Sequence, residues 1–136
     1  MAPFMRTLIN IDVPDLEPAI IFYTAALGLS HSRTLDDDVA ELTGASSVIY
    51  LLQKVTESES SNKRSQTRHY TRHWTPVHID FVVDDIAATS RQALAAGAVR
   101  ESECVEWKGS KCITFSDPFG HGFCLIEFVG EGYVSN

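Results

Sequence analysis

The sequence predicts an α+β protein of two tandem β-α-β-β-β modules, forming a cupped, barrel-like mixed sheet with the helices outside. Three observations carry this expectation. Leu8 to Asp15 (L-I-N-I-D-V-P-D) and His78 to Asp85 (H-I-D-F-V-V-D-D) say nearly the same thing seventy positions apart. Each is followed by a helical apolar pattern closed by a glycine, Gly28 and then Gly97. After each glycine come three short runs of strand character divided by turn residues.

The elements follow in order. Residues 5–13 alternate and are rich in isoleucine and valine, so they predict a strand with one buried face. Asp15 is placed to cap a helix over Leu16 to Leu27, with Pro18 early and Leu16, Ile20, Tyr23 and Leu27 near one face. Strands are expected at about 29–35, 38–43 and 47–54, separated by the acidic turn Asp36 to Asp38 and the small-residue turn Gly44 to Ser47. Residues 55–75 break the pattern. Their first part has almost no apolar content, and their second carries Lys63, Arg64, Arg68 and Arg72 before H-Y-T-R-H-W-T-P. A solvated connector is one reading of this stretch. The other folds His73 and Trp74 back as a lid or wall over a pocket. Pro76 holds Thr75 extended, so the chain enters the next strand directly. Val77 to Asp84 is then a strand, and Asp85 precedes a helix over about 86–96 with Ile86, Ser90, Ala93 and Leu94 near one face. Strands near 99–107, 110–116 and 122–129 complete the repeat, with D-P-F-G (Asp117 to Gly120) as a turn. Module 1 therefore spans about 4–54 and module 2 about 76–130 of a single domain.

Composition narrows the function. A chain of 136 residues can bury a core without disulfide or metal staples. No apolar run approaches the roughly 20 residues that span a bilayer, and M-A-P-F-M-R does not read as a secretory signal. The three cysteines, Cys104, Cys112 and Cys124, are odd in number and lack a disulfide pattern, which suits reduced thiols in the cytoplasm. A net charge of −7 argues against nucleic acid, whose binding rests on cationic contacts to phosphate. If acid lines a cavity, it favours a cationic ligand.

Strand alternation sorts the side chains. Ile9, Ile11 and Val13 should face the first helix, leaving Leu8, Asn10 and Asp12 on the inner face. Ile79, Phe81 and Val83 should face the second helix, leaving His78, Asp80 and Val82 inward. Leu8 thus corresponds to His78, and Asn10 to Asp80. Polar residues on the inner face of an apolar strand are the functional clue. His78 could do acid–base work near neutral pH, with Asp80 orienting its ring, or could be a histidine hydrogen-bonded in the core. No phosphate-cradling glycine loop, nucleophile elbow or paired C-x-x-C signature is present.

Four segments carry a family resemblance: D-L-E-P-A-I-I-F-Y-T-A-A-L-G-L (15–29), H-I-D-F-V-V-D-D (78–85), A-A-G-A (95–98) and D-P-F-G-H-G-F-C-L-I-E-F (117–128). With the paired modules, they resemble the vicinal oxygen chelate superfamily of glyoxalases, extradiol dioxygenases, fosfomycin-resistance enzymes and bleomycin-resistance proteins. The resemblance implies that fold, and metal ligands, where present, from four inward positions. The first-strand position is Leu8 and the fifth-strand position His78, each seven residues before the helix-capping acid. The eighth-strand position, seven residues after Asp117, is Cys124. Aligning Y-L-L-Q (50–53) with F-C-L-I (123–126) puts Leu51 at the fourth, and a two-residue slip puts Gln53 there. Glu127 is a nearby carboxylate, although alternation puts it on the face opposite Cys124 unless a bulge intervenes.

Leucine has no lone pair, so the resemblance implies a degraded metal site. The expectation is a metal-free protein binding a small molecule, antibiotic or metabolite, in the inter-module cup, with contacts from Asn10, Asp12, His78, Asp80, Cys124 and Trp74. One alternative is a divalent-metal enzyme of glyoxalase or dioxygenase type around His78, with Gln53, Cys124 or Glu127. Another is a metal-independent enzyme using His78 as base. The resemblance further implies a homodimer.

Overall fold

The computed structural model describes residues 5–55 and 68–135, which form two compact units. Most of the connector, residues 56–67, lies outside the described residues. The first unit holds most of the first repeat, and the second holds residues 71–135 with the last turn of the first helix, Ala25–Leu27.

The first module runs β1 (Leu8–Val13), α1 (Leu16–Leu27), β2 (Ser30–Leu35), β3 (Val39–Thr43) and β4 (Val48–Gln53). Its sheet has the order β1-β4-β3-β2, with β1 and β4 parallel and the other pairs antiparallel. A parallel β1–β4 pair needs a long crossover, which α1 and the β2–β3 hairpin supply. Alternation works as the sequence predicts. Ile11, Val13, Ala40, Leu42, Ile49 and Leu51 are buried on one face, while Leu8 is 52% exposed on the other. Helix α1 buries Leu16, Ala19, Phe22, Tyr23 and Ala26. It lies on the sheet face of Ile49 and Leu51, because Gln53 on that face accepts a hydrogen bond from the Leu16 backbone N–H at 2.8 Å. Asp15 stands at the N-cap but makes no side-chain capping bond. Gly28 closes α1 in the left-handed conformation (φ 71°), as its position predicts.

The second module runs β5 (Ile79–Val82), α2 (Ile86–Ala96), β6 (Val99–Arg100), β7 (Val105–Trp107), β8 (Ser110–Ser116) and β9 (Gly122–Phe128). Its sheet has the order β5-β9-β8-β6, with β7 also paired to β8. Parallel β5–β9 reproduces parallel β1–β4. Where one strand over 99–107 is expected, there are two. Ser102 interrupts the ladder by accepting the Thr114 N–H on its own Oγ at 2.9 Å, in place of a backbone carbonyl. Helix α2 packs on β9 and buries Ile86, Ser90 and Ala93. Leu94, expected on that face, is 43% exposed instead. Asp85 accepts the Ala88 N–H at 3.0 Å, a true N-cap. Phe115 and Phe123 stack at 5.8 Å and, with Ile113 and Leu125, form the buried layer on the helix side of the sheet. Phe115 is therefore a core residue.

Candidate functional site

The register of the two sheets fixes which residues are equivalent. Asn10 pairs with Tyr50 in the first sheet, and Asp80 pairs with Cys124 in the second. Asn10 and Asp80 are equivalent by the repeat, so Tyr50 is the counterpart of Cys124. Leu51 is instead the counterpart of Leu125, and both are fully buried on the helix side. The expected fourth-strand position, Leu51, is thus corrected by one residue to Tyr50. The slip that would bring Gln53 inward is also excluded, since Gln53 caps α1 from the opposite face.

Glu127 is corrected in the same way. Its Oε1 accepts the Ile86 N–H at 2.8 Å, the first backbone donor of α2. Alternation holds through β9, so Glu127 sits with Phe123 and Leu125 and away from Cys124. Gln53 and Glu127 are a symmetry-related pair of helix caps delivered by strands, and neither serves as an inward ligand.

The inner face of the second module holds the cluster. His78 Nε2 lies 3.0 Å from Asp80 Oδ1, with the two side chains 33% and 39% exposed. These groups and Cys124 Sγ lie within 4.8 Å of one another. Cys124 is buried, and its Sγ is 3.5 Å from Thr114 Oγ1. Burial raises the Cys124 thiol above its ordinary range, and Thr114 opposes that rise through its hydrogen bond. Neighbouring Cys112 is pushed up to about 12, first by burial and then by Cys124. Neither thiol is a ready nucleophile at neutral pH.

Trp74 closes one side. Its ring is 4.8 Å from the His78 ring, tilted by 41°. It also lies against Gly122, where a Cβ would stand 2.1 Å from Trp74 Cζ3. Arg72 is 5.1 Å from the Trp74 ring centre and forks onto Glu101, Nε to Oε2 at 2.6 Å and Nη2 to Oε1 at 2.7 Å. The Arg72–Glu101 ion pair therefore straps Trp74 down beside His78 and Gly122, the place where the second reading of the connector would need it. His73 is not part of it. Its Nδ1 lies 2.9 Å from the Thr71 carbonyl, and the residue is exposed.

The inner face of the first module has a different chemistry. Asn10 is exposed there. Asp12 Oδ2 accepts from Arg68 Nε at 2.6 Å, so an ion pair already engages this predicted ligand. Glu41 receives Arg33 Nε at 3.0 Å, Arg33 Nη2 at 3.1 Å, Ser32 Oγ at 2.6 Å and the Tyr50 hydroxyl at 2.9 Å. These bonds, led by Arg33, hold the Glu41 carboxyl at about 2. The sequence reading missed this network. Aligning the modules on their strand-borne caps, Gln53 and Glu127, would have exposed Tyr50 as the inward residue.

Of the predicted contacts, His78, Asp80, Cys124 and Trp74 converge in one module. His78 and Asp80 can act as an oriented imidazole, with Asp80 accepting a hydrogen bond from Nε2–H and leaving Nδ1 as an acceptor. Together with Cys124 they also offer one nitrogen, one oxygen and one sulfur donor.

The family follows from both fold and sequence. A family model described as a glyoxalase-like domain matches residues 8–126, so the chain belongs to that family and, with it, to the vicinal oxygen chelate superfamily. Solved structures share the fold. The fosfomycin resistance protein FosX from Listeria monocytogenes is 18% identical with a TM-score of 0.69, covering 93% of this chain and 94% of its own. A glyoxalase/bleomycin resistance protein/dioxygenase from Nocardioides is 16% identical with a TM-score of 0.65, covering 99% and 91%. Lactoylglutathione lyase from Agrobacterium tumefaciens is 19% identical with a TM-score of 0.60, covering 93% and 94%. No curated protein sequence matches the chain. Among the described residues, no helix is long and apolar enough to cross a membrane.

Proposed function

We propose that this glyoxalase-like protein binds a small molecule, an antibiotic or a metabolite, through the inner face of its second module and without the family's metal quartet. The observation that carries this is the His78–Asp80 pair at 3.0 Å beside the half-exposed Trp74. That arrangement offers an aromatic wall, an oriented hydrogen-bonding pair and a carboxylate for a cationic group. Leu8 and Tyr50 stand where two of the four family ligands would be, which weakens the metal reading. Titration with fosfomycin, bleomycin and S-lactoylglutathione in the presence of EDTA tests the proposal. Saturable binding to the wild type, lost in His78→Ala, is the expected result. Absence of binding by all three, or binding that survives His78→Ala, would sink it.

A second reading has its own support in the convergence of His78, Asp80 and Cys124 within 4.8 Å. Three protein donors of this mixture suit zinc, which would supply Lewis-acid chemistry at that point. His78 would supply the nitrogen and Asp80 the oxygen, whereas Cys124 would have to lose a proton that burial holds on it. Cobalt(II) titration separates the readings. A thiolate-to-cobalt charge-transfer band, absent in Cys124→Ser, favours the metal centre, and a featureless titration excludes the thiol as a ligand. A cytoplasmic location and a homodimer belong to the same proposal.

A further inference from the structure

Behind the second sheet, on the side away from His78, a groove of about 430 Å³ opens between α2 and the strands β6, β7 and β8. We propose that it is a second binding site, for an apolar molecule ending in an oxyanion, either carboxylate or phosphate.

Three features point there. The first is charge. Arg91, Arg100 and Lys111 line the groove against one carboxylate, Glu106. This is a cationic pocket on a protein whose net charge is −7. Among the described residues, none of the three cations forms an ion pair within 4.0 Å, although Lys111 and Glu106 face each other in register. Arg100 gives its Nε–H to the Ser102 carbonyl, which orients the guanidinium without neutralising it.

The second feature is Ser90. Its side chain lines the groove, the residue is 5% exposed, and its Oγ has no hydrogen-bond partner among the described residues. A buried hydroxyl without a partner costs stability, so it is rare unless something else satisfies it. The Oγ itself is closed to solvent in the free protein, so a change of the Ser90 rotamer would bring its O–H to an oxyanion in the groove.

The third is shape. Ile86 and Ile113 give an apolar floor, and Leu94 extends it while 43% exposed. The exposure of Leu94 is the departure from helix patterning noted above, and a ligand's hydrocarbon body would cover it. The volume falls within the range of small-molecule sites, about 300–1,000 Å³. Glu127, cross-strand from Lys111, keeps its charge while accepting the Ile86 N–H, and Asp85 caps the same end of α2, so Arg91 and Arg100 carry most of the positive field.

The test uses the 136-residue chain and amide NMR spectra, with sodium octanoate, octyl phosphate and 1-octanol as probes. Saturable shifts at Ser90, Arg91, Arg100 and Lys111 with one or both anions, and much weaker ones with octanol, are expected. Arg91→Gln and Lys111→Gln should each weaken the anion about fivefold, as lost charge-assisted contacts do. Ser90→Ala carries the sharper signature. It should raise the unfolding midpoint of the free protein, by removing an unmatched hydroxyl, and weaken the anion about threefold. His78→Ala should leave anion binding unchanged, which separates this site from the proposed ligand face. The proposal is overturned if neither anion gives saturable shifts, if octanol binds equally well, or if the shifts vanish in His78→Ala. It is equally overturned if Ser90→Ala leaves the affinity for both anions untouched.

Discussion

Glu127 and Cys124 lie three residues apart on one strand, and the pleat between them decides what each can do. Glu127 faces α2 and accepts the Ile86 N–H at 2.8 Å, satisfying a donor that the helix itself cannot. Gln53 does the same for Leu16 in the first module. The comparison predicts what the charge contributes. Glu127→Ala should lower stability by about 1–2 kcal/mol, the usual cost of a lost cap. Glu127→Gln should recover most of that, because an amide oxygen performs the task at Gln53, and only a few tenths from the helix dipole are lost. Urea unfolding of the wild type and the two variants measures both values. Equal losses in Ala and Gln variants would show that charge, and not the acceptor, holds the helix. The same variants bear on chemistry, since a residue facing the helix should leave any binding at His78 unchanged.

The elements are tied by side chains from their neighbours, and two of these ties are open to measurement. In the first sheet, Glu41 on β3 joins Arg33 on β2 to Tyr50 on β4. Its carboxyl is held at about 2 against an ordinary 4.5, so the folded state favours the ionised form. The resulting stability is fully present above 4.5 and is lost as pH falls from there toward about 2. Acid unfolding of Glu41→Gln should therefore be less steep than that of the wild type across this window, with the two curves converging at its lower end. Parallel curves would remove Glu41 as a source of acid sensitivity. In the second module, the strap over β9 depends on an absent side chain. Gly122→Ala would place a Cβ 2.1 Å from the Trp74 ring, so the ring or the strand must move. A cost of about 1–3 kcal/mol is expected for such overpacking. In a Trp107→Phe background, Trp74 emission should shift to the red as the indole leaves the strand. An unchanged spectrum would mean that the strap tolerates the methyl group. This strap was only half legible in the sequence. Local pattern showed a polar connector ending in aromatics, but the Arg72–Glu101 pairing that holds it joins residues far apart in the chain. The strands and helices were plain by contrast, because alternation and glycine caps are local signals. The split of the strand over 99–107 was not, because it depends on the single hydroxyl of Ser102 replacing a carbonyl across the sheet.

At the scale of the whole chain, the repeat is a record of what each position tolerates. Four equivalent pairs run through the modules: Leu8 and His78, Asn10 and Asp80, Tyr50 and Cys124, Gln53 and Glu127. The last pair keeps one structural role in both copies. The first three differ in chemistry while the sheets around them agree in order and direction, so the scaffold does not demand any of them. The inward histidine and its aspartate were legible from this comparison alone, since an unequal position in an equal pattern needs no structure to be seen. The fourth-strand residue was not, because a strand's register against its partner is invisible in one sequence and a single-residue slip reverses its faces. The repeat also supplies the cleanest separation of folding from function. His78→Leu gives the second module the residue that the first already carries at the same place before its parallel strand pair. The imidazole is a third exposed and bonds only to Asp80 among the described hydrogen bonds and ion pairs, so its removal leaves no buried donor unmatched. Unfolding free energy should stay within about 0.5 kcal/mol of the wild type. Binding at the inner face, whether of a small molecule or of cobalt(II), should be lost. Calorimetric titration and thermal unfolding of the same sample check the two halves together. If His78→Leu unfolds the protein, the histidine is a structural residue and the functional reading of the repeat falls. If it folds and binds as before, the site lies elsewhere in the chain.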